Sequence, residues 1–508
     1  MAIRITPQRR VPIAWESVIH FQNIDQMASS ALKSNFYKWH RVLGLISLVP
    51  VIFWTLSGLS HPFMSNWFRP SIAQEVFKPL AQSKMKPALS IQQVLDSNHV
   101  TAIRNFNLLN FKKGTFYQVL GADSTYKYYS ATNATLLPHG DTDYAEYLAR
   151  YFTQDGTSAL KSITLQTGFD GQYQPINHLL PVWKVSFNRA DGMDIYIETG
   201  QSRMGTFNNN TRKAFLWLFE QFHIWQFLAD IGGDTFRNVV LVVIMTMMLF
   251  ALISGLTVYG LMWKKFKAIK QNRKAKCTED KRFVHRFHRQ IGLIVSFVML
   301  TFVISGLFHL AVKLHNDEPA KADYGQVIKR SDLTISNLAL PVTDSLIRKI
   351  GVVSFNGNTF YQVTDDKKQI TYINTKTGKE QTNADEDYAR FLSTYYHPRL
   401  EVNKFYGRVK VDQIRQFDNE YGFINKRLPV ERVGYPNGDN WYIETTTSKL
   451  ATKVAAIDRA EGLSFIFLHK YFGMSWAGKN IRDLVSMLAA LGVLVVSLFG
   501  FASFIKNK

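Results

Sequence analysis

The chain has 508 residues, a formal net charge of +21 and one cysteine, Cys277. A lone cysteine excludes a disulfide framework, a cysteine-ligated iron–sulfur cluster and a C-x-x-C-H attachment, so any haem is held non-covalently. Of the 21 surplus positive charges, 15 fall in the short segments 1–60, 238–309 and 484–508, a positive-inside pattern that argues against nucleic acid as a partner.

Four apolar blocks punctuate the chain: Val42–Ser60, Val239–Met262, Ile291–Val312 and Leu484–Phe504. Each is about as long as a bilayer is thick and nearly uncharged, which predicts transmembrane helices over 39–62, 238–263, 290–312 and 483–505. The loop 264–289 carries 11 Lys and Arg residues. It is therefore expected in the cytoplasm, together with segment 1–38 and the C terminus. The first 36 residues lack an apolar core, so the first helix is expected to act as an uncleaved anchor in lipid. Segments 63–237 and 313–482 then face outward, each long enough for its own core. Short alternating stretches such as "GTFYQVL" and "MDIYIET" mix there with amphipathic ones such as "YAEYLARYF", an α+β pattern.

The chain also repeats itself. "WHRVLGL" (39–45) is echoed by "FHRQIGL" (287–293), "SGLSH" (57–61) by "SGLFH" (305–309), and "FYQV" occurs at 116–119 and 360–363. "DYAEYLARYF" (143–152) matches "DYARFLSTYY" (387–396), and "DIYIET" (194–199) matches "NWYIET" (440–445), with offsets of 244–248 throughout. Two helices per copy preserve orientation, so the copies run parallel. The predicted fold is a membrane protein of α+β class: a four-transmembrane-helix bundle built by parallel internal duplication, with two exterior α+β domains.

Duplication also sorts the 13 histidines. His40 pairs with His288, His61 with His309, and His223 ("FEQFHIWQF") with His469 ("IFLHKYF"), whereas Tyr37 stands opposite His285 and Lys426 opposite His178. His40 and His61 are 21 residues apart, as are His288 and His309. On a straight helix that is ~31 Å, on nearly one face. Neutral imidazoles from facing helices can clamp a haem edge-on. Gly44, Gly58, Gly292 and Gly306 each lie one turn from a histidine, on its face, where a missing side chain admits a flat ring. A single terminal histidine is more often a polar anchor, and glycine in a membrane helix more often serves close packing. Three repeat-related pairs favour ligation. Zinc would need a compact cluster of three or four ligands, and no acid occurs within the apolar blocks. Arg41, Arg286 and Arg289 read first as membrane-interface anchors, second as propionate partners.

The W-H-R-x-x-G opening, the S-G-L-x-H helix end, the "WYIET" strand and "TGK" (377–379) resemble the PepSY-associated transmembrane proteins. That family includes inner-membrane ferric-siderophore reductases of Gram-negative bacteria. The resemblance covers nearly the whole chain from residue 36. It implies PepSY-like exterior domains, a multi-pass protein of the bacterial inner membrane, and two or three bis-histidine b-type haems carrying electrons outward to a ferric siderophore. Reduction frees the metal because hard oxygen donors hold Fe(II) weakly. The cytoplasmic loop is too short for a flavin or nicotinamide domain, which leaves a membrane quinol or a separate cytoplasmic flavoprotein as donor. On the inner side, His40 with His288 is the repeat-preserved pairing. On the outer side, His61, His309, His223 and His469 allow one haem on the axis or two off it. Two other readings stay open: a siderophore or small-molecule transporter, for which intramembrane charges are missing, and a non-catalytic PepSY-type regulator. Trp183, Tyr196, Trp441 and Tyr442 are candidates for a substrate dock or, by their strand alternation, for core packing.

Overall fold

The structure, a computed structural model, describes residues 15–74, 87–264, 266–268, 281–315, 323–336, 347–397 and 409–505. Residues 1–14 and most of the basic loop, with Cys277, lie outside them. The chain is a mixed α and β protein of two compact units: Met1–Phe63, Leu218–Asp317 and Glu461–Lys508 form one, Met64–Trp217 and Glu318–Ala460 the other.

In the helical unit, Gln226–Leu261, Phe283–His315 and Lys479–Ile505 are long and apolar enough to cross a membrane. The first apolar block differs from the single helix expected over 39–62. Two helices, Ala31–Ile46 and Leu48–Trp67, meet at 54°, so this bent pair supplies a fourth span only if counted as one. Pro50 explains the bend: it has no N–H for the Ile46 carbonyl four residues back, and its ring crowds that oxygen. The straight rod that set His40 and His61 on one face is replaced by two axes. A second break falls at Gly233 (φ 81°), near the start of Gln226–Leu261, a conformation that suits glycine.

The helices pack in cyclic order, Trp15–Ile46 on Gln226–Leu261, that helix on Lys281–His315, then Lys479–Ile505, then Leu48–Pro62. Val51, Leu241, Met245, Met248, Val303 and Val493 fill the centre. Buried hydroxyls there return to their own helix: Thr55 Oγ1 donates to the Val51 carbonyl and Ser254 Oγ to that of Ala251, which removes the cost of a polar group away from water. Ile294 and Phe297 point outward at 75% and 70% exposure, the surface expected against acyl chains. Segments 218–237 and 461–482, read as exterior, group with these helices.

The second unit is built from antiparallel strands. β1 (Ala102–Phe111), β2 (Gly114–Gly121), β3 (Tyr126–Ser130) and β4 (Leu136–Leu137) lead to β5 (Leu160–Gln166), β6 (Val182–Phe187), β7 (Asp194–Glu198) and β8 (Arg203–Asn208). The later segment adds β9 (Ile328–Lys329), β10 (Ile347–Phe355), β11 (Asn358–Asp365), β12 (Ile370–Asn374), β13 (Lys410–Ile414), β14 (Val430–Gly434), β15 (Asn440–Glu444) and β16 (Lys449–Val454). The sheets run β4-β3-β2-β1-β9, β5-β6-β7-β8, β10-β11-β12 and β13-β14-β15-β16. Helix Gly140–Thr153 buries Tyr144, Ala145, Leu148, Ala149 and Phe152. Helix Ala384–Tyr396 buries Tyr388, Ala389, Leu392 and Tyr396 at matching steps, an apolar stripe of helical period.

The two polar segments, expected as domains, group in this one unit; each has a cluster of its own, around Tyr144 and Leu148 and around Tyr388 and Leu392, beside a shared one. Ile103, Phe106 and Tyr117 pack in one cluster with Ile350, Val352 and Tyr361. Asn105 and Asn107 on β1 accept the Val352 and Ile350 N–H groups at 2.9 and 3.2 Å, so side chains substitute for a ladder between the sheets. A buried ion cluster ties the same halves: Arg203 reaches Glu198 and, at 2.7 Å, Glu444, which Arg427 meets at 2.5 Å. Two cations hold two carboxylates, the condition under which buried charge is tolerated.

Candidate functional site

The helical unit brings the repeat-related histidines together in two pairs. His40 and His288 face each other with ring centroids 6.1 Å apart. His223 and His469 do so at 6.3 Å, with ring planes at 88°. A metal–imidazole bond of about 2 Å, plus roughly 1.2 Å from nitrogen to ring centre, sets two trans imidazoles on one iron about 6.4 Å apart. Both pairs match.

Each ring is held by its Nδ1. His40 Nδ1–H donates to the Ala251 carbonyl at 2.9 Å and His288 Nδ1–H to that of Val496 at 3.0 Å. Carbonyls accept only, so the proton is on Nδ1 and the Nε2 lone pair is free for a metal. In the second pair the acceptors are hydroxyls. His223 Nδ1 meets Ser57 Oγ at 3.0 Å and His469 Nδ1 meets Ser305 Oγ at 3.3 Å.

Glycines on the facing helices make room for the imidazoles. A Cβ on Gly255 would stand 2.7 Å from His40 Cε1, and one on Gly500 would stand 3.1 Å from His288 Cε1. Of the four glycines expected to admit a flat ring, Gly44 and Gly58 face open space and Gly292 has only Val496 at 3.7 Å. Gly306 differs: the thioether of Met245 fills its place, so it serves close helix packing. Gly255→Ala is expected to push the His40 ring out of line, with Gly500→Ala milder; were this couple to hold haem, ultraviolet–visible spectra of the purified variants would show a sharp loss of Soret absorbance per chain for the first.

His223 and His469 sit on π-helical turns, Glu220–Ile224 and Phe465–His469. Such turns insert a residue and re-aim side chains, often at functional sites. Phe219 stacks on His223 at 4.4 Å and Phe465 on His469 at 4.7 Å. The other two candidates, His61 and His309, lie 5.8 Å from Phe219 and 5.6 Å from Phe465. His309 also contacts Glu461 at 2.6 Å. Of the outer four, His223 and His469 are in ring contact with each other, while His61 and His309 lie against Phe219 and Phe465.

The arginines rest on aromatic faces: Arg41 lies 5.2 Å from the Phe504 ring, Arg286 5.1 Å from Phe287 and Arg289 4.2 Å from Phe266. Among the described residues, no three His, Cys, Asp or Glu side chains converge on one ion position. Pairs suit a porphyrin, which supplies four donors itself and asks the protein for two. In the other unit Tyr196 and Tyr442 stack on Tyr173 and Tyr421 at 4.6 and 4.4 Å. Trp183 donates to Asp141 at 2.6 Å and Trp441 stacks on His397. These aromatics pack the sheets.

Sequence reasoning passed over Ser57, Ser305, Phe219, Phe465 and Gly500. The serines were visible as the first letter of the repeated S-G-L-x-H. Comparison with models of known protein families and with curated proteins gives no match to this chain.

Proposed function

We propose that the chain is an inner-membrane haem b oxidoreductase, a duplicated four-helix bundle that passes electrons outward to a ferric chelate such as a siderophore and releases Fe(II). The observation that carries the reading is the pair of facing imidazole couples at bis-ligand spacing, each ring contributed by a different repeat and each Nδ1 tied to oxygen. Haem supplies one-electron chemistry when bound. The protein's residues orient the imidazoles, exclude water with Met245, Met248, Val303 and their neighbours, and leave Gly44 and Gly58 bare for a planar ring. Two couples support two haems per chain, one ligated by His40 and His288, the other by His223 and His469. Quinol or a cytoplasmic flavoprotein feeds the first couple, and both termini lie in the cytoplasm by the charge distribution.

The test is a visible spectrum with a haem count on full-length protein purified from haem-replete cells. The expected result is two haems per chain, with a sharp Soret band that shifts on dithionite. Colourless protein would overturn the reading.

A further inference from the structure

The two couples differ in what their Nδ1 atoms meet. In the His40–His288 couple the acceptors are amide carbonyls, at 2.9 and 3.0 Å. In the His223–His469 couple they are hydroxyls, at 3.0 and 3.3 Å. Both serines are sealed from solvent, Ser57 at 0% and Ser305 at 1% exposure. Each hydroxyl also has a carbonyl of its own helical turn within reach as an acceptor for its proton, Ser57 Oγ with Trp54 at 3.0 Å and Ser305 Oγ with Phe302 at 3.1 Å. With the hydroxyl protons on those carbonyls, oxygen lone pairs face the histidines, the arrangement in which each imidazole donates from Nδ1 and presents Nε2. The same chain of carbonyl, hydroxyl and imidazole occurs in both halves.

We infer that Ser57 and Ser305 are positioning residues that fix the tautomer and ring orientation of His223 and His469 and set their couple at a higher reduction potential than the His40–His288 couple. The inference rests on the haem reading. An amide carbonyl accepts more strongly than a hydroxyl, and a stronger acceptor on Nδ1 makes the ligand more basic, which favours ferric iron. One-electron transfer from the first couple to the second then runs downhill, the direction an outward-acting reductase needs.

The experiment is an optical redox titration of the full-length protein in detergent, comparing native chain, Ser57→Ala/Ser305→Ala and Ser57→Thr/Ser305→Thr, with a haem count on each. The native chain should titrate in two waves, the higher one surviving in His288→Ala. The alanine pair should move that higher wave further upward, or lose its haem, and leave the lower wave in place. The threonine pair, which keeps the hydroxyls, should stay close to native. Two haems with both waves unmoved in the alanine pair would overturn the serine assignment alone, as would equal shifts in the threonine pair. A colourless native chain would overturn the haem reading, and the assignment with it.

Discussion

His288→Ala is expected to drop the haem content from two per chain to one and to reduce quinol-driven or flavoprotein-driven chelate reduction to the background of haem-free membranes. His288 approaches His40 from a different helix, with its Nδ1 fixed by Val496 and its flank against Gly500. Alanine removes one of the two imidazoles that would hold this haem, and His40 alone would not retain it. His223→Ala should likewise cost one haem, because it removes one ring of the His223–His469 couple. His61→Ala and His309→Ala supply the contrast. Their rings lie against Phe219 and Phe465 and are outside both proposed couples, so these variants should keep two haems. A pyridine haemochrome count on the four proteins, with chelate reduction measured in vesicles, checks the pairing. Full haem content in His288→Ala would remove the first couple from the proposal.

Much of this arrangement was legible before any coordinates. The sequence echoes matched His40 to His288 and His223 to His469, at offsets of 248 and 246. Which of the outer four would meet was not legible. His223 and His469 reach each other from π-turns, and the extra residue in such a turn leaves no periodic trace in sequence. The bend after Ile46 was legible in principle, since Pro50 lies inside the apolar block, but apolarity alone was read there. Gly255 and Gly500 were hidden for another reason: what they make room for is a histidine some 200 positions away, and helix-face arithmetic relates only near neighbours. In the strand-rich unit the alternation of Tyr196 and Tyr442 pointed correctly to packing. The shared core did not show, because it depends on Asn105 and Asn107 meeting β10 edge-on, and a strand's pattern says which face is buried but not what buries it.

The same unit holds a departure from repeat symmetry with a large expected effect. Trp183 on β6 pairs with Ile197, and Glu431 on β14 with Ile443, so the two occupy equivalent places. In the first half the Trp183 indole donates to Asp141, which also accepts the Tyr128 hydroxyl. In the second half Asp385 accepts from Tyr372 and Gln413, and beside it stands Glu431, 2% exposed, with Oε2 unpartnered. Burial, then the neighbouring Asp385 charge and its hydrogen bond, push the Glu431 carboxyl up to about 9, which favours its protonated form beside Asp385 at neutral pH. A folded-state pKa above the unfolded value gives stability that is fully present below about 4.5 and is lost as pH rises toward about 9. At ~1.4 kcal/mol per pH unit for one proton, the loss by pH 8 is on the order of 3–5 kcal/mol. Glu431→Gln keeps a donor toward Asp385 and has nothing to ionise. The variant should therefore match the native chain at pH 4.5 and be more stable by that margin at pH 8. Near-ultraviolet circular dichroism melts of the full-length protein at both pH values measure it. Equal melting of the two proteins at pH 8 would mean that Glu431 is already ionised there and that the carboxyl pair shares no proton.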